Sequence, residues 1–86
     1  MTYTVQIESA FALPADDMLA ALSAGGVDGT VVSTDPCLLL DVDAEDANGL
    51  GLRIGRALET LIATRRLALI PERVGVAEYV LRPPAA

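Results

Sequence analysis

Apolar and polar residues alternate at the start of the chain. Tyr3, Val5 and Ile7 take one side and Thr4, Gln6 and Glu8 the other, the period of two that marks a half-buried strand. Ser9 to Leu13 reads as a connection, and the period then changes. Ala15, Met18, Leu19 and Leu22 fall on one helical stripe. Pro14 suits the first turn, where its missing N–H costs nothing, and Asp16 and Asp17 favour the positive helix end. Gly25-Gly26 supplies a stop, so a helix is predicted over 14–24.

Residues 27–34 read as a second strand, weakened near its start by Gly29. Thr34-Asp35-Pro36 has turn chemistry, and 37–42 is a third strand that is apolar on both sides. Leu38, Leu40 and Val42 take one side, Cys37 and Leu39 the other. The two strands are close enough to form a hairpin. Asp43 is the predicted N-cap of a long helix over 44–64, with Asp46 inside its first turn. The expected buried stripe is Ala47, Leu50, Gly51, Ile54, Ala57, Leu58, Leu61 and Ile62.

Three glycines, at 49, 51 and 55, weaken this helix by up to about 1 kcal/mol each relative to alanine. Gly51 and Gly55 share a flank, which predicts the close approach of another backbone there. The alanine-rich first helix, with Ala20, Ala21 and Ala24, is the candidate neighbour. A fourth strand is predicted over 67–70 and an interruption over 71–73. A further strand follows over 74–82, and 83–86 form a proline-rich tail that cannot extend a sheet.

The order β-α-β-β-α-β, with an extra C-terminal strand or hairpin, is the ferredoxin-like split β-α-β pattern. It implies an α+β two-layer sandwich: one domain over 1–82, an antiparallel sheet, and both helices on one face. That arrangement hosts many unrelated activities, so it carries no function by itself.

Composition narrows the rest. The chain has 86 residues, 52% of them hydrophobic and only 3% aromatic, so Leu, Val, Ile and Ala must build the core. Cys37 is the single cysteine, which excludes an internal disulfide and a cysteine metal cluster. Met1 to Glu8 lacks the features of a signal peptide. The longest stretch without charge, Met18 to Val27, is ten residues, about half of the roughly 20 that a membrane helix needs. A cytoplasmic location without membrane contact is therefore expected.

The net charge is −6, with no histidine. Its signs are segregated: residues 1–48 hold nine acids and no base, and residues 49–86 hold six arginines and three glutamates. An acidic chain without stacking aromatics is a poor nucleic-acid binder. The run Asp41 to Gly49 suggests a calcium loop, but counting from Asp41 the sixth and twelfth places hold Asp46 and Leu52 instead of Gly and Glu. The run reads instead as a strand end leading into an acidic helix start.

Gly49-Leu50-Gly51-Leu52-Arg53-Ile54-Gly55 misses the dinucleotide fingerprint by one residue, and its acidic surroundings repel a pyrophosphate. Without histidine, Cys37 or a serine lacks the usual base for nucleophilic catalysis. No catalytic residue, cofactor or metal ligand is assigned.

The expectation that remains is a non-catalytic protein-interaction module, a homodimer or a binder of another protein. The alternative is a small-molecule-binding or small enzymatic domain of the dimeric ferredoxin-like type, with its pocket between sheet and helices. Cys37 and Leu39 are the candidate contact residues on the outer sheet face, joined by Val31 or Val32 and by Leu69 or Ile70. Arg53 and Arg56, on the exposed side of the second helix, are candidates for an acidic partner, with Arg65-Arg66 following at its end. The terminal segment 74–81 competes with a second subunit as the cover of the outer face.

Overall fold

The computed structural model describes residues 1–9 and 13–84. The described residues form an α+β protein with two helices and a mixed five-stranded sheet. Residues 10–12 of the predicted first connection, and Ala85 and Ala86 of the predicted tail, lie outside the described residues. Strand β1 (Thr2–Ser9) leads into helix α1 (Ala15–Ala24), followed by β2 (Thr30–Ser33) and β3 (Leu38–Asp43). Helix α2 (Ala47–Arg65) then precedes β4 (Ile70–Arg73) and β5 (Glu78–Arg82).

The strand order is β2-β3-β1-β5-β4. β1 pairs antiparallel with β3 but parallel with β5, with Gln6 opposite Glu78 and Glu8 opposite Val80. The antiparallel sheet anticipated from the sequence is thus corrected to a mixed one. Pro71 supplies the physical reason. A proline cannot donate to a ladder on both sides and is confined to sheet edges. The strand that follows α2 contains Pro71 and takes the outer edge. Glu78–Arg82, with a donor at every residue, takes the interior place beside β1. Pro71 does not interrupt a strand over 67–70; it lies within β4, three residues later than predicted.

Both helices cover one side of the sheet. Val5 and Ile7 of β1, Leu38, Leu40 and Val42 of β3, and Tyr79 and Leu81 of β5 point to that side. They form one core with Met18 and Leu22 of α1 and Leu50, Ile54, Ala57, Leu58 and Leu61 of α2. The α2 stripe matches the one predicted, except that Ala47 and Ile62 are only half-buried. Alternation and helical period suffice to place these residues, because each element has a single partner layer to face.

Boundaries moved where side chains were needed elsewhere. Asp43, the predicted N-cap, instead ends β3 opposite Thr2, and its carboxylate accepts from the Thr2 hydroxyl at 2.5 Å. Asp46 caps α2, accepting from the backbone N–H of Asn48 at 3.2 Å and of Gly49 at 3.0 Å. At the other end Arg66 closes the helix in the left-handed region, at φ 53°. β2 starts at Thr30 rather than 27, because Val27 turns into the core. Gly29 passes so close to β3 that a Cβ there would stand 2.1 Å from the Asp41 carbonyl oxygen.

The glycine flank of α2 also received a neighbour other than the one predicted. Gly51 and Gly55 face the β4–β5 hairpin, not α1. A Cβ on Gly51 would meet the Arg73 guanidinium and the Val76 carbonyl, and one on Gly55 the Tyr79 hydroxyl. Arg73 spans the hairpin turn, donating to the carbonyls of Gly75 and Val76 and to the Asn48 side chain. Tyr79, buried, donates to the Gly51 carbonyl at 3.0 Å. The close contact between the helices lies elsewhere, where Gly25 meets Ala57.

Candidate functional site

The side of the sheet away from the helices is open among the described residues. The terminal segment proposed as its cover does not lie across it: Glu78–Arg82 is β5, a strand of the same sheet. The ladder registers fix what this face displays. Thr4 lies opposite Asp41, Gln6 opposite Leu39, Glu8 opposite Val80, and Ile70 opposite Arg82. Five carboxylates (Glu8, Asp41, Asp43, Glu72 and Glu78) stand there against one guanidinium, Arg82, which pairs with Glu72 at 2.8 Å. Thr2 and Thr4 donate to Asp43 and Asp41 across the β1–β3 ladder. The acidic run is thus spent on two cross-strand hydrogen bonds and a helix cap.

The anticipated apolar patch is broken up on this surface. Leu39 is on the open face and half-buried, beside Gln6. Ile70 is on the same face but on β4, with β1 and β5 between. Leu69 is buried. Val31 pairs with Leu40 and so takes the helix side of the sheet. Cys37 precedes β3 and lines a recess with Ile7, Leu13 and Met18. Strand alternation told which residues differ in side, but the distances between them depended on strand order.

The two sheet edges differ in chemistry. β4 carries Pro71, Glu72 and Arg73, the residues with which natural sheets block pairing at an edge. β2 is Thr-Val-Val-Ser, with neither proline nor charge. Its ladder with β3 shifts between Val31 and Ser33, which leaves Val32 as a bulge without a partner in β3. Val31 is 43% exposed and Val32 56%. Pro71 was a legible signal for a guarded edge; nothing in the sequence announced the bulge.

Arg53 and Arg56 do come together. They border a groove of about 230 Å³ between α1 and α2, floored by Ala21, Ala24, Gly25 and Ala57. Among the described residues neither arginine makes an ion pair. Arg65, by contrast, grips Asp17 of α1 with two contacts of 3.0 and 3.1 Å. No charged side chain is buried among the described residues, and no group of three or more His, Cys, Asp or Glu there is arranged to hold a metal ion. No described helix is long and apolar enough to cross a membrane.

No known protein family matches this chain, and neither does any curated protein or solved structure at a significant level.

Proposed function

We propose that the chain is a non-catalytic protein-interaction module that works as a homodimer in the cytoplasm. The observation that carries this reading is the uncovered sheet. The segment available to shield it joins the sheet as β5, so one whole face and the β2 edge stay exposed among the described residues. The layer between sheet and helices is filled by one apolar cluster, which supports a packing module over a ligand pocket there. A two-fold dimer is the commonest symmetric assembly, and it needs only one self-complementary surface. We further read the fold as a ferredoxin-like sandwich in which a terminal hairpin has placed β5, rather than the strand following α2, beside β1.

The test is sedimentation of the intact chain from low to high micromolar concentration. The expected result is a monomer–dimer equilibrium that shifts with concentration. A single species of monomer mass throughout refutes self-association.

A further inference from the structure

From the two sheet edges we infer that the second copy docks on β2, strand against strand, to make one continuous ten-stranded sheet. The inference rests on the reading of the chain as a self-associating module and names its surface. Three observations carry it.

The first is the asymmetry of the edges. β4 holds a proline and two charges, and β2 holds none of these. β2 has one device of its own, since the bulge at Val32 also blunts an edge. A two-fold pairing through β2 uses up both edges that lack proline and charge and leaves the assembly bounded at each end by β4, so growth stops at two copies. The second is exposure. Val31 and Val32 are exposed on an edge that has no other strand beside it among the described residues, and the bulge turns Val32 out of the β3 ladder. β-Branched pairs facing each other across a ladder stabilise a sheet.

The third is charge. Each copy carries −6, and the open face holds five of the acids. Gly29 to Thr34 is free of charge. With the two-fold axis through Val31, Thr30 lies opposite the second copy's Val32 and Asp28 opposite its Thr34, so no carboxylate meets its like. Val31 shares the side of Leu40, and an axis normal to the sheet keeps all four helices on one side. The second copy is the chosen occupant because only a two-fold pairing closes the assembly, with a proline- and charge-bearing β4 at each end.

The experiment compares the intact wild-type chain, Val32→Lys and Leu39→Glu by sedimentation at high micromolar concentration, with circular dichroism to check folding. Val32 is exposed at a bulge, so lysine there is expected to leave the fold and melting temperature unchanged while abolishing the dimer. Leu39→Glu is expected to stay dimeric. In the wild type, amide exchange at Thr30 to Ser33 should slow as concentration rises. A dimer that survives Val32→Lys but is lost in Leu39→Glu overturns the edge contact and leaves self-association standing on the open face. A wild type that stays monomeric overturns both. If the lysine variant unfolds, the exchange experiment decides: protection at Thr30 to Ser33 that does not change with concentration overturns the inference.

Discussion

Replacing Gly55 with alanine sets two effects of opposite sign against each other. Alanine in a helix interior is favoured over glycine by up to about 1 kcal/mol. The new methyl, however, would stand 2.6 Å from the Tyr79 hydroxyl and 3.3 Å from the ring carbon that bears it. Tyr79 cannot swing aside cheaply. Its ring is buried, and its hydroxyl is held by the Gly51 carbonyl at 3.0 Å. Forcing a methyl into a packed site costs about 1–3 kcal/mol, so the balance is a net loss of roughly 0–3 kcal/mol.

Tyr79→Phe alone should cost about 0.5–1.5 kcal/mol, the usual worth of a hydrogen bond. The Gly51 carbonyl then keeps the intrahelical bond that a regular helix directs to it from residue 55. In the double variant the clashing oxygen is gone, the nearest ring atom lies at 3.3 Å, and alanine keeps its helical advantage. The double variant should therefore be more stable than the sum of the singles, by about 0.5–3 kcal/mol of coupling. Urea unfolding followed by far-ultraviolet circular dichroism, analysed at a common m value, measures all four corners of the cycle. Additivity within about 0.5 kcal/mol would show that the methyl and the hydroxyl do not compete for the same space.

Three further outcomes follow from the core and the cap. Leu58 is fully buried beneath the sheet, so Leu58→Ala should cost about 2–5 kcal/mol in the same unfolding assay; a change within error would mean α2 presents another face. Asp46→Ala should cost about 0.5–2 kcal/mol by freeing the N–H groups of Asn48 and Gly49. Asp43→Ala should leave the α2 amide protection unchanged, the reverse of what a cap at Asp43 requires.

Much of the architecture was legible in local pattern. The alternation of Tyr3 to Glu8 and the stripe from Leu50 to Leu61 each name a buried side, and each side is the one the core uses. Gly25-Gly26 ends α1 as read, with Gly26 at φ +82°. These features depend on neighbours within a few residues, and the chain itself fixes their geometry.

Contacts between distant segments were not legible in the same way. Asp43 and Asp46 are equally good caps by type, and the choice fell to Asp46 because Thr2, forty-one residues from Asp43, claims that carboxylate. Gly51 and Gly55 announced a close approach without naming the visitor, since Arg73 and Tyr79 reach them only once the hairpin has docked. Arg53 and Arg56 share a groove because α1 supplies its small-residue wall.

The largest difference lies in the outer face. Alternation separates Leu39 from Leu40 on any strand, but it does not say which strand lies beside which. Pro71 bars β4 from the interior, β5 takes the place beside β1, and Ile70 is carried two strands away from Leu39's neighbour. The sequence therefore determined which residues leave the core, and the tertiary structure alone decided which of them meet. Side is a property of the backbone period, whereas adjacency is set by long-range hydrogen-bond pairing.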